Sequence, residues 1–285
     1  CNYNSDANIN DDSCDYSCHI NGDYSLSFDG EGDYVEIYGN KLDDLFSGNN
    51  PFTVSAIVYG NGNENDWNQI IGKGFTPGDN GTNPKNFQIF NDGGEKISFL
   101  LYNENGNYIR IQATIDSNNW NHLVATYDGG TETGSLKLYN NGILLENEGE
   151  TNSGFTAMPI NSEPVHIGAR VQQGGTGHTV WNEKISDIKI WDYSLNSNDI
   201  ANNYINDVYN PNTVADWKFN QGDNGDYPTY LIDHSGNRNH GTINGPDWNL
   251  DGCTYEYALN YNLNANTDDG SCIFYESCQS LFIDN

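Results

Sequence analysis

The stretch FQIFNDGGEKISFLLY, residues 87–102, decides the fold. Two runs rich in strand-forming residues flank Asn91, Asp92, Gly93 and Gly94. An Asp-Gly or Gly-Gly step between such runs is a hairpin signal, because glycine takes the positive φ that a tight turn needs. The pattern continues outward in both directions. Upstream, YSLSF (24–28) and YVEIY (34–38) alternate apolar and polar residues, FTVSAIV (52–58) reads as a further strand, and NQII (68–71) begins another. Downstream come YIRIQATI (108–115), NHLVATY (121–127) and a second hairpin, in which SLKLY (135–139) and ILL (143–145) flank Asn140, Asn141 and Gly142. VHIG (165–168), residues 184–191 and residues 214–219 complete the set. Only residues 196–204 read as a helix, with Asn196 or Ser197 as its cap. Many short strands separated by Gly/Asn turns predict an all-β sandwich or barrel.

At 285 residues the chain has room for one large or two ordinary domains. Hydrophobic residues make up only 35%, but 6 Trp, 19 Tyr and 11 Phe each bury a large area, so a sizeable core is available. The formal charge is −29 with only 11 Lys and Arg. That balance speaks against nucleic acid, which needs a basic patch, and against an anionic membrane surface. Such an acidic excess repels itself unless metal ions or salt screen it, as calcium or a saline habitat would. No stretch approaches the ~20 apolar residues of a membrane span. The chain begins at Cys1 without an initiator Met or a signal-peptide pattern, so a mature or excised piece of a longer chain is expected.

The six cysteines lie only near the ends: Cys1, Cys14 and Cys18, then Cys253, Cys272 and Cys278. That clustering predicts disulfide staples in an oxidising compartment. A zinc site is disfavoured, since no CxxC pair and no His at ligand spacing is present. The ends also repeat each other: CNYNSDANINDDSC (1–14) aligns without a gap with LNYNLNANTDDGSC (259–272). The first copy lacks the counterpart of GCTYEYA (252–258), so the start cuts a repeat. The expected organisation is a partial repeat over 1–21, a sandwich over 22–250 and a second repeat over 251–285. Six cysteines allow 15 pairings. Cys253 and Cys272 bracket one repeat and are expected to pair; Cys1 with Cys18 is the matching choice at the other end. Cys14 and Cys278 then pair with each other or with cysteines of missing neighbours.

Oxygen-bearing side chains fall on every second residue of the repeat. The C-terminal copy has Asn260, Asn262, Asn264, Asn266 and Asp268 with Asp269 beside them; the N-terminal copy has Asn2, Asn4, Asp6, Asn8, Asn10 and Asp12 with Asp11 beside them. Calcium takes six to eight oxygens, and a curved Asn/Asp loop can wrap several around one ion. The spacing is not that of an EF-hand, and the competing reading is a plain Asn/Asp turn held by disulfides.

Motifs spread along the middle block carry a family resemblance: SFDGEGDYV (27–35), PFTV (51–54), NWNHLVATY (119–127), LYNNG (138–142), HIG (166–168), ISDIKIWD (185–192), WKFNQG (217–222) and DHSGNRNHGTI (233–243). In this order they resemble the laminin-G-like and pentraxin-like family of concanavalin-A-type jelly rolls. The resemblance implies two antiparallel sheets packed face to face and a role in recognising glycans or proteins, often with Ca²⁺. The flanking segment resembles a repeat of large, surface-attached, multi-module secreted proteins of aquatic, especially marine, bacteria.

The resemblance places Asp29, Asp33 and Asp233 in shared turn motifs. With first and last strands adjacent, their loops are candidates for one structural Ca²⁺; alternatively each Asp caps a turn. The ligand-type Ca²⁺ site of pentraxins does not carry over, because AlaArgValGlnGln (169–173) stands where that family is acidic. Trp120, Trp191 and Trp217 sit at scaffold motifs and, with Trp181, are expected in the core. Trp67 and the loop ending in His178 remain as surface candidates for a ligand, while His122 and His166 read as structural. Glycoside hydrolases of this fold need two carboxylates about 5–9.5 Å apart. Here the nearest pattern, Glu64 and Asp66, continues to Gln69 where a third acid would stand. Glu146, Glu148 and Glu150 read as charges protecting an edge strand.

The expectation is therefore an all-β, two-sheet antiparallel jelly-roll sandwich with small disulfide-stapled, calcium-binding-like repeats at both ends. It is expected to act as a non-catalytic extracellular binding or adhesion module. Its partners would be a glycan or protein ligand at a cell surface and neighbouring modules of the same or identical chains. The alternatives are a structural subunit of a fibre or surface layer and, last, a glycoside hydrolase.

Overall fold

The fold follows from period-two alternation, with one side of each strand turned to a shared core. In a computed structural model, residues 24–60, 66–74, 85–171, 177–206, 212–220, 229–268 and 271–274 are described. The first repeat, with Asn2, Asn4, Asp6, Asn8, Asn10, Asp11, Asp12, Cys1, Cys14 and Cys18, lies outside the described residues, as do Glu64, Asp269 and Cys278.

The strands are β1 (Tyr24–Ser27), β2 (Tyr34–Ile37), β3 (Phe52–Gly60), β4 (Asp66–Lys73), β5 (Phe87–Asp92), β6 (Lys96–Tyr102), β7 (Tyr108–Thr114), β8 (Asn119–Tyr127), β9 (Leu136–Asn140) and β10 (Ile143–Leu144). They continue as β11 (Gly149–Asn152), β12 (Val165–Ile167), β13 (Ala169–Val171), β14 (Gly177–Val180), β15 (Lys184–Trp191), β16 (Thr213–Trp217), β17 (Tyr230–Leu231), β18 (Gly241–Asn244), β19 (Asp247–Gly252) and β20 (Thr267–Asp268). One sheet runs β10-β9-β8-β3-β15-β1-β19-β20, with β16 also paired to β15. The other runs β11-β7-β6-β5-β4-β12-β2-β18-β17. All pairings within the two sheets are antiparallel except β19 with β20, and the first strand does lie beside the last long one, Leu26 opposite Trp248.

Both expected hairpins form. Gly93 and Gly94 take φ of 90° and 61° between β5 and β6, and Asn141 and Gly142 take 50° and 79° between β9 and β10. Inward residues of the two sheets, among them Val54, Val58, Phe87, Phe99, Leu101, Ile109, Ile185, Ile188 and Trp217, form one core. Phe46 anchors it, 4.4 Å from Phe87 and 4.9 Å from Phe52 between ring centroids. Burying each such ring contributes about 2–3 kcal/mol.

Among the described residues two α-helices are found where one was expected. The anticipated one, α2 (Ser197–Asn206), is capped by Asn196, whose Oδ1 accepts the N–H groups of Asn198 and Asp199 at 2.9 and 3.1 Å. Its Ile200 packs with Leu195 on Val124, Tyr139 and Trp191, covering part of the outer face of the first sheet. The unanticipated α1 (Asn40–Leu45) has only six residues, too few to show helical periodicity, and is held by Leu42 and Leu45 entering the core.

Gly168 sets the position of the site described below. With φ of 81° it carries the chain out of β12, so that Ala169 rises beside β4 and its carbonyl accepts the Gln69 Nε2–H at 2.7 Å. A β-carbon at Gly168 would stand 2.0 Å from the ring of buried Phe28. Gly168→Ala is therefore expected to lower the unfolding free energy by about 2–4 kcal/mol, read from the urea midpoint.

Candidate functional site

Alternation that turns Phe87, Ile89, Phe99, Leu101, Ile109 and Ile111 inward sends Gln88, Phe90, Ser98, Leu100, Tyr102, Arg110 and Gln112 to the outer face of the second sheet. Register stacks them in rows: Gln88, Leu100 and Arg110 in one, and Phe90, Ser98 and Gln112 in the next. This face is not a plain solvated surface. Phe90, Leu100 and Tyr102 form a second apolar cluster with Tyr108 packed against it.

The polar groups among them are bonded to one another. Tyr102 donates its hydroxyl to Gln88 Oε1 at 3.2 Å, Gln88 Nε2 donates to Gln69 Oε1 at 2.9 Å, and Gln69 passes the chain to the Ala169 carbonyl. On the other side Arg110 pairs with Asp92 and donates Nε–H to Ser98 Oγ at 3.1 Å; Ser98 in turn donates to Asp92 at 2.8 Å, and Gln112 Nε2 donates to Asp92 at 2.5 Å. Buried amides and hydroxyls are costly unless bonded, so this closed network holds each side chain in one rotamer. Burial pushes the Tyr102 hydroxyl up to about 12, keeping it a donor throughout the physiological range.

Over this floor lies Trp67. The register shift between Asp66 and Asn68 forms a bulge, Trp67 takes φ of 75°, and its ring stacks on Phe90 at 4.8 Å and 6°. Trp67 stays 36% exposed. Arg170, delivered by the Gly168 turn, lies over the Trp67 ring with Cζ 5.8 Å from its centroid. Lys85 lies over Tyr102, its Nζ 4.9 Å from the ring centre. The site is thus an aromatic and amide floor edged by cations.

Of the expected core tryptophans, Trp181, Trp191 and Trp217 are buried, but Trp120 is 37% exposed. It shares the outer side of β8 with His122 and Val124; α2 covers Val124, while Trp120 packs only edge-on to Tyr59 at 5.6 Å. His122 and His166 are structural. His122 Nε2 lies 2.7 Å from Ser55 Oγ, and burial lowers the two imidazoles to about 4 and about 3, so both stay neutral. His178 falls in β14, but its side chain lies outside the described residues, as does that of Asp66. Glu146, Glu148 and Glu150 are exposed, Glu150 on the edge strand β11.

Asp29 and Asp33 come together, the Asp29 N–H donating to Asp33 Oδ2 at 3.0 Å. Burial pushes the Asp33 carboxyl up, and the negative charges of Asp29 and Asp247 act the same way against the lowering effect of that N–H bond. Asp233 does not join them, which corrects the expectation of one shared ion. Asp33 precedes β2, whereas the Asp233 turn packs Asn239 against Gly39 beyond its other end, roughly 20 Å away along an extended strand. Asp233 caps that turn instead, accepting the N–H groups of Asp216, Ser235 and Asn239, each at 2.9 Å.

In the C-terminal repeat Cys253 and Cys272 are joined as expected, 4.8 Å apart between Cα atoms. Asn260 Oδ1 accepts from Ile273 N–H, Asn262 Oδ1 from Asn264 N–H, and Asn266 Oδ1 from Leu250 N–H. Asn266 also donates to the Trp248 carbonyl, clipping the repeat to β19, and Asp268 lies in β20 beside it. Among the described residues no group of three or more His, Cys, Asp or Glu is placed to hold a metal ion.

Residues 29–201 match the model of the family described as the concanavalin A-like lectin/glucanases superfamily, in its laminin-G branch. The chain belongs to that superfamily. No curated protein matches it in sequence. Among solved structures it is similar to a Bacteroides ovatus ATCC 8483 protein provisionally described as carbohydrate-binding, at 18% identity and a TM-score of 0.56 over 81% of this chain and 60% of that one. The chain thus spans about 60% of that protein's length. It is also similar to the carbohydrate-binding module CBM40 of the Ruminococcus gnavus IT-sialidase bound to α2,3-sialyllactose (14% identity, TM-score 0.46, 61% of this chain and 95% of that). The heptameric SAP-like pentraxin of Limulus polyphemus stands at 15% identity and a TM-score of 0.42, over 64% of this chain and 81% of that. At these identities the likeness is one of fold. A superfamily of lectins and glucanases includes both binding and catalytic members, so function has to be argued from the site.

Burial lowers Lys85 to about 7, and the neighbouring Arg170 charge acts the same way. The unfolded chain keeps the ordinary value near ~10.4. Between these values the unfolded state binds more protons, so this group makes stability rise with pH from about 7 to about 10, and its full cost stands below pH 7. Lys85→Met is expected to raise unfolding free energy at pH 6 by about 1–3 kcal/mol, with the gain fading by pH 10, measured in denaturant titrations at both pH values.

Proposed function

We propose that the chain is a non-catalytic extracellular module that binds a glycan on the outer face of its second sheet. The observation that carries this reading is the pre-bonded floor of Gln69, Gln88 and Tyr102 beneath partly open Trp67, Tyr108 and Arg110. Sugars present apolar C–H faces beside hydroxyl groups. A fixed array of aromatic rings, amides and a guanidinium meets both, and its rigidity lowers the entropy lost on binding. The catalytic alternative has a specific argument against it. Where a third acid would stand, Gln69 is an amide whose donor and acceptor are both committed within the sheet. No helix among the described residues is long and apolar enough to cross a membrane.

Calcium is part of this proposal as a structural ion. Asp29 and Asp33 are the carboxylates offered for it, because the negative charges of Asp29 and Asp247 bear on the Asp33 carboxyl and a cation would relieve that repulsion. The ion would neutralise them and hold the turn between β1 and β2. In the repeats, the disulfide and alternating Asn/Asp residues would stiffen the connection to neighbouring modules.

Two experiments test these points. A glycan array probed with the chain should give specific binding. Tyr108→Ala and Trp67→Ala should each weaken it about tenfold or more, while Trp120→Ala on the opposite sheet leaves it unchanged. Loss with Trp120→Ala alone would move the site to the first sheet, and no binding to any glycan would favour a structural subunit. For calcium, millimolar Ca²⁺ should raise Tm by about 3–5 °C relative to EDTA. Asp33→Asn should abolish that difference, whereas Asp233→Asn should lower Tm equally in both buffers.

A further inference from the structure

Cations are scarce in this chain, and most of those turned inward reach a carboxylate. Lys73 contacts Asp43 at 2.6 Å, Lys184 contacts Asp251 at 2.6 Å, Lys189 lies 3.8 Å from Asp216, and Arg110 pairs with Asp92. Lys85 and Arg170 differ. Neither has a carboxylate partner among the described residues, although the chain carries 40 Asp and Glu. Lys85 is 5% exposed. The Nε of Arg170 is buried without a hydrogen-bond acceptor among the described residues. The Arg170 charge reaches Lys85 and disfavours its charged form, in addition to burial. Placing a buried Lys85 beside a half-buried Arg170 without a carboxylate among the described residues costs stability. Aromatic faces under both, Tyr102 below Lys85 and Trp67 below Arg170, offset only a part.

We propose that Lys85 and Arg170 form an anion subsite of the glycan-binding face, and that its ligand is an acidic sugar carrying a carboxylate or a sulfate. This rests on the glycan-binding reading of the same face and adds the class of sugar. The ligand anion supplies the missing counter-charge, and Arg170 offers a planar donor fork that matches either group. Trp67 and Tyr102 set the subsite beside the aromatic floor, so one sugar ring contacts both. The net charge of −29 gives selectivity. Free polyanions are repelled by the molecule as a whole, and only one that brings its anion to this subsite recovers the lost energy.

The test is calorimetric titration of the full chain with three oligosaccharide sets: oligogalacturonates, sulfated galactan oligosaccharides, and neutral oligogalactosides of equal length. At least one acidic set should bind tenfold or more tightly than the neutral set. The two acidic arms separate carboxylate from sulfate. Arg170→Gln and Lys85→Met should each remove that preference, and Lys85→Met also answers the concern over folding, because it is expected to be more stable than the parent. Inorganic sulfate at the same concentration should not displace the acidic sugar; full displacement would make this a site for a free anion and overturn the proposal. Neutral binding equal to acidic binding, or an acidic preference that survives both substitutions, would overturn the anion subsite and leave glycan binding intact. No binding by any set would overturn both readings.

Discussion

Period-two alternation is the constraint on which this structure depends. Each inward residue on β5, β6 and β7 obliges its neighbours to face out, so a sandwich with one core has two outer faces that must be dealt with. The first sheet covers part of its outer face with α2, through Trp191, Tyr139 and Ile200. The second sheet covers its own, by laying Trp67 over Phe90 and bonding Tyr102, Gln88 and Gln69 in series. That difference gives the two sides of the molecule different chemistry. One is a scaffold surface, and the other is a polar and aromatic face already ordered before any ligand arrives.

Charge adds a second constraint. With an acidic excess this large, an inward-turned cation readily finds an acid, as Lys73, Lys184 and Lys189 do. The pairing of Arg110 with Asp92 shows what the ordinary solution looks like on the same face. Lys85 and Arg170, a short distance away, forgo it. On the proposal above, a ligand anion supplies the charge that the chain itself does not place beside them.

The C-terminal repeat is tied to the sandwich by main-chain and side-chain bonds, not by covalent linkage alone. Asn266 spans Leu250 and Trp248, Thr267 donates to Asn249, and β20 lies parallel to β19. The disulfide then closes the repeat on itself between Cys253 and Cys272.

Local chemistry was readable from the chain alone. Strands, both hairpins, the Asn196 cap and the Cys253–Cys272 bridge depend on residues close in sequence, where alternation, positive-φ glycines and side-chain capping act at short range. The family motifs carried the sandwich itself. What the sequence did not determine was the cover over each face and the neighbours across it. Trp120 read as core because its motif is a scaffold motif, yet α2 stops short of it. Asp233 read as a partner of Asp29 and Asp33, yet β2 runs its full length between them. Arg170 stood in the sequence only as the residue that breaks a pentraxin-like acidic pattern, and Lys85 carried no signal. Their meeting over Trp67 and Tyr102 is set by the Gly168 turn and by strands brought together from 67 to 170. Periodicity fixes which side a residue faces, but only tertiary packing decides what stands on that side, because burial and counter-charge are properties of neighbours distant along the chain.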